Sequence, residues 1–328
     1  MKRSEVTHVV LLALKILIGL GALSWVLSLM KSEALFVALQ KTNWLWIGAF
    51  ALTQIAGYYL SAKRWRYIAW SRSLRMKSWD AFRIYLTGAF MNNFLPLGTF
   101  GGDAFRSAWL ASKLNNRAGA VASVFFDRFV GLWVVSILAL VLGVWWYVRA
   151  GSPFSGFVLM LSILALALLV DALLTWVGRL PGGSRIIDRL PYVVRRLCTE
   201  FLRVGNERAW WGGSVYALAF HLVATGLGNW FLFEAFGLHL DPLYYIGVIF
   251  LTTLIASLPV SIGNIGVKEG AYVLFFGHLI AVEPLFLVVT VGRFVQFLIT
   301  ALAWPLYARE MWLLRRAKQA EARAAEEQ

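Results

Sequence analysis

The sequence predicts an all-α, polytopic helical membrane protein with about six full spans and two oppositely oriented re-entrant helical hairpins, arranged as an inverted repeat. Three observations predict this fold class. Hydrophobic residues make up 60% of the 328 residues, and the mean hydropathy is +0.69. Several apolar runs reach the roughly 20 residues that a helix needs to cross the hydrocarbon core. Two Pro-Gly segments, one in each half of the chain, interrupt such runs.

Six apolar segments have the length of full spans, within a single integral membrane domain that covers residues 1–328. They are 9–30, 44–62, 118–148, 157–178, 210–236 and 284–307. Arginine and lysine orient these spans, because cytoplasmic loops are enriched in positive charge. The segment 63–77, the linker 179–209 and the tail 308–328 are rich in basic residues. This pattern places all three, and both chain termini, on the cytoplasmic side.

The predicted orientation constrains the two Pro-Gly segments. Residues 79–116 must enter and leave by the cytoplasmic face, and residues 243–282 must enter and leave by the outer face. Each segment is therefore predicted to form a hairpin of two half-helices. Broken helices in corresponding halves, here 8–178 and 210–307, are typical of transporters with a site near the bilayer midplane. The alternative is that both motifs are short interfacial loops between ordinary helices.

The predicted hairpin tips carry residues suited to binding an anion. The tip residues are Asn93, Pro96, Gly98, Gly101, Gly102, Pro259, Gly263, Asn264 and Gly266. A half-helix begins after each glycine cluster, and its free N–H groups and positive dipole end favour an anion such as a lipid phosphate. Glycine also lets the backbone come close to a ligand and adopt positive φ. Asp103 and Glu269 lie in the first turns of these helices, where an acid either serves the site or simply caps the helix.

Ionisable residues within the predicted membrane segments are candidates for function, because charge in the bilayer is costly. The candidate substrate-binding residues are Asp103, Arg106, Arg128, Lys268, Glu269 and Arg293. Arg106 follows Asp103 by three residues, so the two can pair on one helical face, within the site or at the interface. Arg128 either faces the interior or snorkels beside Asp127 near the cytoplasmic surface. Arg293, in an otherwise apolar helix, is expected to face the interior.

Three runs of residues carry a resemblance to a known family. They are Asn-Phe-Leu-Pro-Leu-Gly…Gly-Gly-Asp-Ala-Phe-Arg at 93–106, Asp-Arg-Phe-Val-Gly at 127–131 and Leu-Pro…Gly-Asn-Ile-Gly-Val-Lys-Glu at 258–269. Over about 10–305, the chain resembles the lysylphosphatidylglycerol synthase transmembrane-region family of flippase-like integral membrane proteins. In larger members this region resembles a lipid translocation unit fused to a soluble aminoacyltransferase domain. The tail 308–328 is too short for that domain, so the resemblance implies a stand-alone member that translocates lipid.

The predicted function is that of a lipid flippase or lipid transporter in the cell inner membrane. It would move a phospholipid, glycolipid or other envelope lipid between leaflets through a polar site at the midplane. The expected partner is a membrane lipid with an anionic or glycosylated head group, and envelope-biosynthesis enzymes are candidate protein partners. No nucleic-acid partner is expected, because the basic residues lie in loops between apolar segments.

We expect no catalytic residue, metal or cofactor. No His, Cys or carboxylate spacing resembles a metal site, and no Gly-x-x-x-x-Gly-Lys-Ser/Thr run is present. Without such a nucleotide-binding motif, either a gradient drives the lipid or the protein equilibrates it. Two alternatives remain open. One is an intramembrane lipid-modifying transferase that uses Asp103 or Glu269 as a base, and the other is an accessory scaffold for envelope biosynthesis.

Overall fold

The structure is a computed structural model, and its described part is helical. It describes residues 24, 33, 37, 40–71, 74–94, 101–114, 117–150, 207–257, 266–277, 279–313 and 316. Apart from Ser24, the predicted spans 9–30 and 157–178 and most of the linker 179–209 lie outside these residues. So do the tip residues Pro96, Gly98, Pro259, Gly263 and Asn264. No strand occurs in the described ranges, which agrees with the all-α prediction.

The first half contains four described helices: α1 (Trp44–Trp70), α2 (Ser78–Phe94), α3 (Gly101–Leu114) and α4 (Arg117–Ala150). The second half contains α5 (Glu207–Ala235), α6 (Pro242–Ser257), α7 (Val267–Phe276), α8 (Val282–Ala301) and α9 (304–313). Within α5, residues His221–Leu227 form a π-helical segment. Such widened turns occur frequently at functional sites.

Local sequence signals explain where several helices begin. The side chain of Asn43 accepts a hydrogen bond from the backbone N–H of Leu45 and caps α1. One carboxylate oxygen of Asp241 accepts hydrogen bonds from the N–H groups of Leu243 and Tyr244, each at 3.0 Å. Pro242, at the first position of α6, has no N–H that would need a partner. Side-chain acceptors thus satisfy the N–H groups that open α1 and α6.

Three described helices are long and apolar enough to cross a membrane. They are Arg117–Leu142 within α4, Glu207–Ala235 (α5) and Val282–Ala301 (α8). They correspond to the predicted spans 118–148, 210–236 and 284–307. The last prediction was wrong at its end, because α8 stops at Ala301 and α9 starts after a turn. Pro305 in α9 has no backbone N–H, so it cannot continue the backbone hydrogen bonds of α8.

The helix pairs expected for the hairpins are present. Helices α2 and α3 pack against each other within 79–116, and α6 packs against α7 within 243–282. The four helices have 17, 14, 16 and 10 residues, each below the roughly 20 needed for a full span. Their lengths therefore suit half-helices. That each pair enters and leaves by one membrane face stays a prediction.

Helix α1 runs between two parts of the apolar core. At one end, Phe50 joins a cluster of residues from α4, α5, α6, α7 and α8. At the other end, Trp65 joins a cluster from α2, α3, α4 and α9 that includes Ile84 and Leu110. The intervening part of α1 presents Tyr58, Ser61 and Arg64 to a cavity. Burial at both ends therefore fixes the helix that forms one wall of this cavity.

The predicted boundary at residue 62 was wrong, and so was the assignment of all of 63–77 to a loop. Helix α1 continues to Trp70, and Arg64 is buried within the bundle. Part of the predicted tail also belongs to the bundle, because α9 packs on the α2–α3 pair. There Glu310 is buried and accepts hydrogen bonds from Arg83 and from the indole N–H of Trp109. These contacts connect the α2–α3 pair to α9.

Candidate functional site

A cavity of about 460 Å³ lies among α1, α2, α3, α4 and α5, with one residue contributed by α6. It is lined by Tyr58, Ser61, Arg64, Tyr85, Gly88, Ala89, Asn92, Asn93, Gly102, Asp103, Arg106, Arg128, Gly131, Leu132, Val135, Phe220, His221 and Thr253. Most of the polar groups come from α1, α2 and α3, whereas Leu132, Val135 and Phe220 form an apolar side. The cavity therefore combines charged and apolar walls.

Asp127 on α4 connects three helices through two buried ion pairs. Its Oδ1 accepts from Nε of Arg64 on α1 at 2.7 Å, and its Oδ2 accepts from Nη1 of Arg106 on α3 at 3.0 Å. The Asp127 side chain is 0% exposed. Both oxygens thus have charged donors, which is the condition for keeping a carboxylate ionised away from water.

The guanidinium group of Arg106 contacts aromatic rings as well as carboxylates. Its guanidinium carbon lies 5.2 Å from the ring centroid of Trp65 and 4.5 Å from that of Tyr85. A planar guanidinium can stack on aromatic rings while its N–H groups bind carboxylates in the plane. These contacts fix Arg106 between Asp127 and the cavity.

Asp103 on α3 continues the network to the cavity surface. Its Oδ1 accepts from Nη2 of Arg106 at 2.7 Å, and its Oδ2 accepts from Nε of Arg128 on α4. The predicted pairing of Asp103 with Arg106 is confirmed. The order of charges is Arg64, Asp127, Arg106, Asp103, Arg128, and we call these five residues the Arg–Asp network. Arg128 is its most exposed member, with 39% of its side chain accessible.

Two glycines bring α2 and α3 close enough to place Asp103. The backbone of Gly102 contacts the backbone of Gly88, and a Cβ at Gly102 would overlap the Gly88 carbonyl group. The N–H of Gly102 donates to Oδ1 of Asn92 at 2.7 Å. A side chain of α2 therefore accepts a hydrogen bond from a backbone N–H in the first turn of α3, which has no acceptor within its own helix. The close backbone contact of Gly102 is thus with a second helix at the edge of the cavity, and its predicted approach to a ligand stays a prediction.

The π-helical segment of α5 begins at a cavity residue. Nε2 of His221 lies 3.0 Å from the carbonyl oxygen of Gly131 on α4. A carbonyl can only accept, so Nε2 carries a proton in this contact. The hydroxyl of Thr225 lies 3.4 Å from Nδ1 of the same ring. His221 therefore fixes the position of the widened turn relative to α4, beside the Arg–Asp network.

A second polar cluster lies in the other half of the chain. Oε1 of Glu269 on α7 accepts from Nη2 of Arg293 on α8 at 2.9 Å, and Oε2 accepts from the N–H of Gly266 at 2.8 Å. Nζ of Lys268 lies 5.8 Å from the ring centroid of Tyr272, whose hydroxyl donates to Asn229 on α5. Glu269 thus caps its helix and also pairs with an arginine, whereas its role in substrate binding stays a prediction.

The structure divides the predicted substrate-binding residues between these two places. Asp103, Arg106 and Arg128 line the cavity, together with the tip residues Asn93 and Gly102. Lys268, Glu269 and Arg293 are absent from its lining and belong to the second cluster. Among the tip glycines, Gly266 has the predicted positive φ, at 80°. Gly101 is instead the first residue of α3.

The sequence interpretation missed Arg64 and did not select Asp127 as a site residue. Arg64 was counted with the basic loop because neighbouring residues are also cationic. A helical stripe of polar and small residues at Gln54, Gly57 and Ser61 leads to Arg64 with spacings of three and four. Extending that stripe across the presumed boundary would have predicted a buried arginine that needs a carboxylate partner.

Substitutions of Glu269 should separate its two contacts. Glu269→Gln retains an acceptor for the N–H of Gly266 but loses the charge opposite Arg293, whereas Glu269→Ala loses both. We expect the alanine variant to be about 1 kcal/mol less stable than the glutamine variant, which is the usual contribution of a cap. Denaturant unfolding of both purified variants measures the difference. Equal stabilities would show that the Gly266 contact contributes nothing.

The comparison with protein families found one matching family description, "Lysylphosphatidylglycerol synthase TM region". The match covers residues 12–303 and so includes both the Arg–Asp network and the second polar cluster. The comparisons with curated proteins and with solved structures each found no match.

Proposed function

The chain belongs to the lysylphosphatidylglycerol synthase transmembrane-region family, a membrane family tied to lipid handling or modification, and we propose that it is a lipid flippase or lipid transporter. In this proposal the head group of a phospholipid, glycolipid or other envelope lipid passes through the cavity at the Arg–Asp network. The acyl chains remain in the bilayer. The protein would reside in the inner membrane with both termini in the cytoplasm.

The observation that carries the proposal is the arginine content of the cavity. Arg64, Arg106 and Arg128 line it from three helices, with Asp103 as the one acid among the lining residues that the structure describes. Charge is expensive to retain within a membrane protein unless it serves a pathway or a ligand. Guanidinium groups bind phosphate and carboxylate oxygens through two parallel N–H bonds. The cavity is therefore suited to an anionic head group.

The apolar side of the cavity supports a lipid rather than a soluble ion as cargo. Leu132 and Val135 on α4 and Phe220 on α5 face the same space as the arginines. Leu132 is also 40% exposed, so an apolar surface continues from the cavity rim to the outside of the bundle. A head group can enter such a space while its glycerol or acyl region stays against apolar side chains. In this reading the chain moves lipid and does not alter it chemically.

Transfer in reconstituted liposomes tests the proposal. Purified protein is incorporated into vesicles that carry fluorescent phosphatidylglycerol, and the fraction accessible to an external quencher is followed with time. Wild-type protein should expose inner-leaflet lipid faster than protein-free vesicles do. Transfer no faster than in protein-free vesicles, for phosphatidylglycerol and for a glycolipid, would contradict the proposal. A lipid of altered mass in the vesicles would instead indicate an intramembrane transferase.

Arg128→Gln should slow this transfer roughly tenfold or more, because a charge-assisted hydrogen bond to the head group is lost. Arg128 lies at the cavity surface, so the variant should fold. The matched control is Arg208→Gln, which removes an arginine that is exposed at the start of α5 and lies outside the cavity lining. Equal transfer rates in the two variants would exclude Arg128 from the pathway.

A further inference from the structure

We propose that Asp103 competes with the anionic head group for Arg128, so that the carboxylate occupies the ligand's position when the cavity is empty and is displaced when the ligand binds. This inference rests on the proposed function and specifies how the site binds and releases its ligand. It makes Asp103 a residue that limits affinity in order to permit release.

The first step of the argument is that the network has a fixed part and an exchangeable part. Asp127, at 0% exposure, ties Arg64 and Arg106 together from inside the bundle. Arg106 is also stacked against Trp65 and Tyr85. Arg128 is instead 39% exposed and lines the cavity. An incoming ligand therefore reaches the Arg128 end of the network first.

The second step concerns what Arg128 binds in the structure. Its Nε donates to Oδ2 of Asp103, while Oδ1 of Asp103 accepts from Arg106. A carboxylate and a phosphate diester present the same feature to a guanidinium, namely two oxygens that share one negative charge. Asp103 and an anionic head group are therefore alternative partners for one surface of Arg128. Asp103 keeps Arg106 as a partner when it is displaced.

The third step is the charge balance. The network contains three arginines and two aspartates, so it carries one positive charge in excess. One monoanion neutralises that excess, whereas a dianion would add a negative charge that none of the three arginines balances. The ligand class that fits is an oxyanion with a single negative charge, such as the phosphodiester of a lipid head group.

Exchange makes a prediction of unusual sign for Asp103→Asn. The variant should bind the anionic lipid about tenfold more tightly than wild-type protein does. Its Arg128 has no charge-assisted hydrogen bond to Asp103 that must break before the lipid binds. The same variant should transfer lipid more slowly, because nothing replaces the ligand when it leaves. If Asp103 instead served only to position the helices, its replacement would weaken binding and transfer together.

The experiment is a titration of purified protein in neutral detergent with short-chain phosphatidylglycerol, read by native mass spectrometry. The variants are Asp103→Asn, Arg128→Gln and the double variant. Asp80→Asn is the matched control, because Asp80 also pairs with an arginine, Arg83 at 3.0 Å, and lies outside the cavity lining. Short-chain diacylglycerol, which has no phosphate and no charge, and inorganic phosphate are titrated in parallel.

We expect tighter phosphatidylglycerol binding in Asp103→Asn, binding about tenfold weaker in Arg128→Gln, and wild-type binding in the control. Most of the gain should disappear in the double variant, because it depends on Arg128. If folded Asp103→Asn binds phosphatidylglycerol no more tightly than wild-type protein, the proposal is overturned. It is also overturned if the double variant keeps the full gain in affinity of Asp103→Asn. If Asp103→Asn does not fold, unchanged binding in Arg128→Gln overturns it equally.

The remaining outcomes distinguish this proposal from the function on which it rests. In one outcome, inorganic phosphate binds and its affinity changes in Asp103→Asn and Arg128→Gln as expected for the lipid, while the lipid itself does not bind. This outcome supports the exchange but assigns it to a soluble anion. Tighter lipid binding in Asp103→Asn, with no transfer by wild-type protein, supports the exchange and contradicts the flippase proposal. Diacylglycerol binding that changes in parallel with phosphatidylglycerol binding overturns the exchange.

Discussion

Replacing Asp127 with asparagine is expected to destabilise the protein by about 3 to 5 kcal/mol, the usual cost of removing one partner from a buried ion pair. Asparagine has nearly the same volume, so packing is preserved and the change is one of charge. Arg64 and Arg106 would then share the bundle interior without the carboxylate that binds both. Their mutual repulsion and lost hydrogen bonds act in the same direction.

The free energy of unfolding in bicelles or mixed micelles measures this effect. Asp80→Asn is the appropriate control, because it removes the same charge from an arginine pair in which the Asp80 side chain is 31% exposed. We expect the control to change stability by no more than about 0.5 kcal/mol. If the two variants lose the same stability, burial of Asp127 between its arginines is not what stabilises the bundle.

The helical fold and part of the site could be predicted from the sequence, because both depend on local patterns. Apolar runs predicted α4, α5 and α8, and the Pro-Gly motifs marked the separations between α2 and α3 and between α6 and α7. Asp103 and Arg106 are three residues apart on one helix, so their pairing follows from helical geometry. Arg64 and Asp127 are far apart in sequence, and only the packing of α1 on α4 brings them together.

Residues of both motifs are predicted to bind the substrate, but whether they share one site depends on tertiary structure that no local pattern specifies. Both motifs place an acid in the first turn of a helix, and in both the acid pairs with an arginine. Asp103 pairs with arginines that line the cavity, whereas Glu269 pairs with Arg293 outside that lining. Similar sequence devices thus produced similar local chemistry in two different positions of the bundle.

Gly102→Ala is expected to destabilise the protein by about 3 kcal/mol, the upper end of the usual cost of overpacking. The added methyl group would meet the carbonyl group of Gly88, which is backbone and cannot rotate away as a side chain could. Helices α2 and α3 would have to separate, and Asp103, the next residue, would move with α3. Lipid transfer should therefore fall even in the fraction of protein that folds.

Gly48→Ala is the matched control for this substitution. A Cβ at Gly48 in α1 would meet nothing within 4 Å, so alanine there should stabilise the helix by up to about 1 kcal/mol. The two variants make the same chemical change within a helix and differ in what the methyl group meets. Opposite signs in unfolding free energy, with transfer lost only in Gly102→Ala, would assign the position of Asp103 to the close contact of α2 with α3. Equal effects would mean that the two helices can separate without cost, and the cavity would then not depend on this contact.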